Sequence, residues 1–153
     1  MPMIDALTRG VAAAALVAAA GLAAGCGGDS GDEASATSTP SMESLAQFEW
    51  VASKVADPDF QQVDDSAITL TFAEDAITAQ AGCNTLSGAA SIEGSNLVVP
   101  DQLASTMKAC EQALTEQDQW LAAFLTSSPK IEWDGEDFWL THEKTRVDFM
   151  QDN

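Results

Sequence analysis

The stretch that decides the fold is ITLTFAEDAITAQAGCNTLSG, residues 68–88. Apolar and polar residues alternate over 68–72 and again over 77–81, which is typical of two strands that each bury one face. Glu74-Asp75 marks the turn between them. Gly82-Cys83-Asn84 predicts a second tight turn, because Gly and Asn tolerate positive φ. The stretch therefore predicts antiparallel strands joined by short turns.

The alternating pattern continues through most of residues 45–153. Residues 93–96 (EGSN) and Asp134-Gly135 are typical hairpin turns. One segment has helical spacing instead, and its apolar residues are Leu114, Trp120, Leu121, Phe124 and Leu125. Thr115 and Asp118 are predicted to form a capping pair at its start. The predicted fold class is mainly β with one helix (α+β), a curved antiparallel sheet with a packed helix.

The charge of the chain excludes one class of partner. Its 153 residues include 24 acidic and six basic ones, for a formal net charge of -18. Such a chain repels phosphate backbones, so the sequence predicts no nucleic-acid binding. Four aspartates lie in one non-periodic segment, at Asp57, Asp59, Asp64 and Asp65. They lack the spacing of a calcium loop, so the sequence predicts a solvated acidic loop and no metal site.

Residues 1–25 have the pattern of an export signal. Arg9 precedes a short apolar run, VAAAALVAAAGL at 11–22, and small residues lead to Cys26. The run is shorter than the roughly 20 residues of a membrane-spanning helix. Residues 22–26 (LAAGC) resemble the lipobox of bacterial lipoproteins, which implies that Cys26 carries lipid and becomes the mature N-terminus. A soluble secreted form is the alternative.

Residues 26–44 are predicted to be the lipidated cysteine and a flexible tether. Residues 27–44 are rich in Gly, Ser, Thr and acidic residues, with little to bury. A tether of this kind spans about 20–25 Å. The predicted organisation is therefore a signal at 1–25, a tether at 26–44 and a folded domain at 45–153, held outside the cytoplasm on a membrane.

The cysteine count predicts a disulfide. If Cys26 carries lipid, Cys83 and Cys110 remain as an even pair in a compartment where disulfides persist. A bond between them would stabilise the fold by roughly 3 to 4 kcal/mol. Two alternatives are weaker. One is a cysteine nucleophile with His142 as its base, and the other is a zinc site formed by Cys83, Cys110 and His142.

The motifs around these cysteines resemble a known family. Gly82-Cys83-Asn84, Ser87-Gly88, Ser105-Thr106, Ala109-Cys110 and Glu116-Gln117 follow one another as in the META domain of HslJ-like bacterial envelope lipoproteins. The resemblance runs from about residue 48 to 150. It implies a small, partly barrel-like β fold in exported proteins linked to stress or antibiotic tolerance, with no established catalytic chemistry.

The family pattern carries over to seven positions: Gly82, Cys83, Asn84, Gly88, Thr106, Cys110 and Glu116. The chain departs from the pattern in three places. Ala90 replaces a usual aromatic residue, Met107-Lys108 reverses the usual order, and residues 143–145 lack the usual turn glycine.

Asn84 and Thr106 are the candidate ligand-binding residues. If the cysteine pair brings them together, their polar groups form one corner of a binding groove. The alternative is that they only shape the turn.

The leading hypothesis is a lipid-anchored binding or interaction module in envelope maintenance, whose partner is an envelope protein or a small ligand. A structural accessory or inhibitor with a protein interface is the second. The third is an enzyme, which the sequence disfavours because it shows no catalytic set and no cofactor motif.

Overall fold

The alternating residues of 68–80 form two strands in the computed structural model, which describes residues 37–152. The predicted signal at 1–25, Cys26 and the tether before residue 37 lie outside the described residues. The elements are α1 Met42–Leu45, β1 Glu49–Ala56, β2 Thr69–Phe72, β3 Ala76–Gln80, β4 Thr85–Ala89, β5 Ser91–Glu93, β6 Asn96–Val98, β7 Ala104–Ser105, α2 Gln112–Thr126, β8 Lys130–Trp133, β9 Phe138–His142 and β10 Thr145–Gln151.

The ten strands form one antiparallel sheet with the order β5-β6-β8-β9-β10-β1-β2-β3-β4-β7. Only Ala90 separates β4 from β5, although these strands stand near opposite ends of that order. The sheet must therefore curl until its ends meet at Ala90, whose amide donates to the carbonyl of Asp75 at 2.9 Å. The result is a curled half-barrel with one long helix, so the predicted fold class is confirmed.

One apolar core fills the curled sheet. The inward residues of the alternating strands are buried, and α2 adds Leu121, Phe124 and Leu125. Trp50 in β1 is fully buried. Its ring meets that of Phe138 edge-on at 4.8 Å between centroids, and its indole N–H donates to the carbonyl of Leu45 at 2.9 Å. The core therefore uses this tryptophan both for packing and to hold the chain that enters β1.

The residues just before 45 already contact the sheet. Ser38 pairs with Trp133 through two backbone hydrogen bonds of 2.8 Å. Pro40 is buried, and the Ser41 hydroxyl accepts from the Ser44 amide at the start of α1. The tether predicted over 26–44 is thus joined to the domain from Ser38 onward. No helix among residues 37–152 is long and apolar enough to cross a membrane.

The start of α2 differs from the predicted capping pair. The helix begins at Gln112, and the residue before it, Glu111, makes no side-chain capping bond. The Thr115 hydroxyl donates to the carbonyl of Glu111, and the Asp118 carboxylate is buried against another segment. The prediction was wrong because the helix begins at Gln112, so Thr115 and Asp118 both lie inside it, and Asp118 is on its buried face.

Asp57 joins the acidic loop to two other elements. Its Oδ1 accepts from the Asp59 amide at 2.8 Å. Its Oδ2 accepts from the Trp120 indole at 3.2 Å and from the Thr145 hydroxyl at 2.5 Å. Burial raises the pKa of the Asp57 carboxyl, but these hydrogen bonds outweigh burial and the net pKa is lowered. The loop is therefore held to α2 and to the first residue of β10, while Asp59, Asp64 and Asp65 are exposed.

Asp57→Asn should lower the melting temperature at neutral pH, because the ionised carboxylate accepts these bonds more strongly than a neutral amide. A lowered pKa stabilises the fold above the ordinary value of 3.8, and that stability is lost as pH falls through the lower pKa of the folded state. The gap between wild type and variant should therefore shrink below about pH 4. Melting curves from pH 3 to pH 7 measure it, with Asp59→Asn as the exposed control. A gap that stays constant with pH would contradict this role.

Candidate functional site

The predicted turn after β3 depends on Gly82. Its φ is +131°, a conformation that residues with a side chain rarely adopt. A Cβ at this position would collide with the Ser66 Oγ and lie 2.9 Å from Leu114 Cδ2. Glycine therefore lets the turn approach both the β1–β2 connection and the helix.

The next residue carries the predicted disulfide. Cys83 is bonded to Cys110, with 6.3 Å between their Cα atoms, inside the usual range for such bonds. Cys110 lies in the segment between β7 and α2. The bond thus joins the turn after β3 to the chain that leads into the helix.

Asn84 follows Cys83, is buried, and makes several hydrogen bonds. Its Oδ1 accepts from the Thr106 hydroxyl at 3.0 Å and from the Lys108 amide at 2.9 Å. Its Nδ2 and its backbone N–H both donate to Asp118 Oδ2 at 2.9 Å. One side chain therefore connects the β3–β4 turn, the segment after β7 and helix α2.

The structure brings the two predicted ligand-binding residues together. The exposed Thr106 donates its hydroxyl proton to Asn84 and accepts from the Thr85 amide at 3.0 Å. The Asn84 amide has partners on both its oxygen and its nitrogen. Both side chains thus shape the corner, and their own hydrogen-bonding groups are already used within the protein.

Two more residues, Gln117 and Asp118, hold the helix in this region, although neither was predicted as a ligand-binding or family-signature residue. Gln117 is fully buried. Its Oε1 accepts from the Val63 amide at 2.6 Å, and its Nε2 donates to the Ser66 hydroxyl at 2.8 Å and to the carbonyl of Ala81. The side chain therefore fastens α2 to the β1–β2 connection and to the end of β3.

Asp118 is the second missed residue and is only 4% exposed. Its Oδ2 takes both hydrogen bonds from Asn84, and its Oδ1 is buried without a partner in the described structure. A signal for it exists in the sequence, since Asp118 stands four residues after Leu114 and three before Leu121. That spacing places a carboxylate on the apolar stripe of the helix.

A cleft of about 430 Å³ lies over this corner, between α2 and the β4–β7 edge. Asn84, Thr106 and Asp118 line it together with apolar side chains, among them Leu86, Leu103 and Ala122. Its size falls within the range of small-molecule sites, which combine apolar walls with a few fixed polar groups. Among residues 37–152, no group of three or more His, Cys, Asp or Glu side chains is placed to hold a metal ion.

Residues 43–153 match the META domain family. The chain belongs to the META domain family. Two NMR structures share its fold: one matches at 20% identity and a TM-score of 0.59, covering 74% of this chain and 96% of that one. The other, from Burkholderia xenovorans, matches at 18% identity and a TM-score of 0.56, covering 73% and 86%. No curated protein matches.

Two further motif residues of this META domain, Gly88 and Glu116, do not line the cleft. Gly88 in β4 faces Leu103, and a Cβ there would lie 2.9 Å from Leu103 Cδ2. Glu116 is exposed and accepts from the Gln112 amide group at 2.7 Å. Glu116 therefore contributes to the helix surface, outside the lining of the cleft.

The β8–β9 hairpin of the META domain holds a separate group of shifted carboxyls. The backbone amides of Asp137 and Glu136 donate to Asp134 and lower its pKa. Burial raises the pKa of Asp137, and the neighbouring charges of Asp134 and Glu136 raise it further. Neither Asp134 nor Asp137 lines the cleft, so these shifts belong to the hairpin and not to the candidate site.

Gly82→Ala should destabilise the domain by roughly 2 to 4 kcal/mol, because it adds a collision to an unfavourable φ. Gly94 provides the control. It also has positive φ, +61°, but nothing lies within 4 Å of an added Cβ. Gly94→Ala should therefore cost only about 1 kcal/mol. Urea unfolding of the disulfide-bonded protein measures both, and equal losses would contradict the close approach at Gly82.

Proposed function

We propose that this protein is a lipid-anchored META-domain binding module outside the cytoplasm, which serves envelope maintenance or stress tolerance. The cleft between α2 and the β4–β7 edge is its binding site. The observation that carries the proposal is the buried Asp118 Oδ1, a carboxylate oxygen without a partner in a cleft of small-molecule size.

The proposed location outside the cytoplasm rests on the sequence and on the disulfide. The apolar run, the lipobox pattern at 22–26 and the polar tether favour export and lipidation of Cys26. The Cys83–Cys110 bond fits an oxidising compartment, where such bonds form and persist. The membrane is thus proposed as one partner, reached through the lipid.

The lining of the cleft supports binding over catalysis. Asp118 is the one carboxylate among the lining residues, and no histidine or free thiol is among them. An activated nucleophile needs a base within hydrogen-bond reach, and the Thr106 hydroxyl donates to an amide oxygen instead. We therefore propose no catalytic role and no cofactor.

A protein interface is the second candidate function. Met107 beside the cleft is 96% exposed, and a fully exposed methionine at an apolar cleft is typical of a contact surface. The chain would then act as a structural accessory or inhibitor that binds an envelope protein over the same cleft.

Complementation of a strain that lacks the gene tests the anchor and the cleft together. Wild type should restore survival under envelope stress. Cys26→Ser should fail because the domain leaves the membrane, and Ala122→Phe should fail because the new ring fills the cleft that Ala122 lines. Membrane fractionation, protein level and melting temperature accompany each strain.

Ala123→Phe is the matched control, since Ala123 is exposed on the same helix and does not line the cleft. It should complement like wild type. Ala122→Leu replaces Ala122→Phe if the larger ring prevents folding. Full complementation by a folded, cleft-filled variant would contradict the binding site, and a Cys26→Ser chain that stays with the membrane would contradict lipidation.

A further inference from the structure

The Asp118 carboxylate is buried without a counter-ion. The two ion pairs of residues 37–152 are Lys130–Glu132 and Arg146–Asp148, so no basic side chain of that range lies within ion-pair distance of Asp118. A buried carboxylate is costly unless it is paired and hydrogen-bonded. The Asn84 donors offset that cost at one oxygen only. The site therefore favours a positive partner from outside.

Asp118 Oδ1 has no hydrogen-bond donor among the described residues. Buried polar atoms in proteins nearly always have a hydrogen-bond partner from protein or ordered water. A single water molecule can serve Oδ1 in the free protein. A ligand that displaces this water must supply an N–H or O–H group of its own.

The other groups of the cleft narrow the chemistry further. The Asn84 amide and the Thr106 hydroxyl are used within the protein. The Ser105 and Thr115 hydroxyls donate to backbone carbonyls, and the Gln119 side chain is exposed. Asp118 Oδ1 is therefore the buried acceptor of the lining that has no partner. Leu86, Leu103 and Ala122 give the cleft apolar walls. A matching ligand therefore has one donor group at the end of an apolar body.

The charge around the cleft decides between a neutral and a charged donor. The chain carries a formal net charge of -18, which attracts cations and repels anions. Lys108 is the one basic residue in the lining and is exposed. Its positive charge disfavours a second cationic group on the ligand. The electrostatics thus favour a single positive charge placed at Asp118.

We propose that the cleft binds an organic monocation, an ammonium group on an apolar body. The ammonium donates to Asp118 Oδ1 and neutralises its charge. The apolar body lies along Leu86, Leu103 and Ala122. Asp118 lines the cleft, but its Oδ1 is buried, so the side chains that cover this oxygen move to admit the ligand. This inference rests on the proposed function, since it names the ligand class of the same cleft.

Hexylamine and 1-hexanol are matched probes that differ in charge at the same chain length. The exported chain carrying Cys26→Ser is titrated with each, so that neither lipid nor detergent competes. The backbone amides of Asn84 and Lys108 report binding by NMR, because both lie in the hydrogen-bond network of the cleft. Hexylamine should bind at least about tenfold more tightly than 1-hexanol, as a charge-assisted bond requires.

Asp118→Asn should weaken hexylamine at least about tenfold, to the level of 1-hexanol. Glu116→Gln removes an equal charge from the exposed face of the same helix and should leave affinity within about twofold. If Asp118→Asn does not fold, Ala122→Phe provides the second variant, and it should abolish hexylamine binding by filling the cleft.

Two results would overturn the inference. If both probes bind equally and Ala122→Phe abolishes both, the cleft binds apolar ligands without recognising an ammonium. The proposed function then stands. If hexylamine produces no shift at Asn84 or Lys108, the ammonium assignment is wrong, and complementation by Ala122→Phe decides the proposed function separately.

Discussion

The hydrogen bonds between Asn84 and Asp118 are the interaction on which the rest of the site depends. They join a two-strand turn to the middle of a helix that lies 34 residues further along the chain. Without them the carboxylate would be buried with no partner on either oxygen. Because Asn84 also fixes Thr106 and the Lys108 amide, one side chain positions both walls of the cleft.

The curl of the sheet supplies the place where this pairing occurs. With only Ala90 between β4 and β5, the sheet cannot lie flat, and α2 follows the short β7 strand at one end of it. The Cys83–Cys110 bond joins the turn after β3 to the segment that leads into α2. Gln117 fastens the same helix at the end of β3. The cleft is thus a consequence of how the ends of the sheet meet the helix.

Local patterns made much of this fold predictable. The alternation at 68–80 depends on burial of one strand face, and the turn at Gly82 depends on backbone freedom. Both are properties of adjacent residues. The cysteine pair was predictable because only two cysteines remain after Cys26 is assigned to lipid. Asn84 and Thr106 came from the family resemblance, and the structure places them in one corner.

Asp118, the buried carboxylate in the lining of the cleft, was not predictable in the same way. Asp118 was interpreted as a cap because it follows Thr115 by three residues, a local pattern. Its position between Leu114 and Leu121 on one helix face indicated burial, but its partner lies in a turn that only the tertiary fold brings close. Gln117 is similar, since its partners Val63, Ser66 and Ala81 come from two other segments. Long-range polar pairs of this kind leave no local pattern.

A charge exchange between the two residues tests the central claim most directly. Asn84→Asp would set a second carboxylate against Asp118 Oδ2, where Nδ2 now lies at 2.9 Å, and should cost roughly 2 to 4 kcal/mol in urea unfolding. Adding Asp118→Asn removes the repulsion and restores one hydrogen bond. The double variant should therefore regain at least about half of the lost stability. If the two losses simply add, the Asn84–Asp118 contact does not hold the helix to the turn.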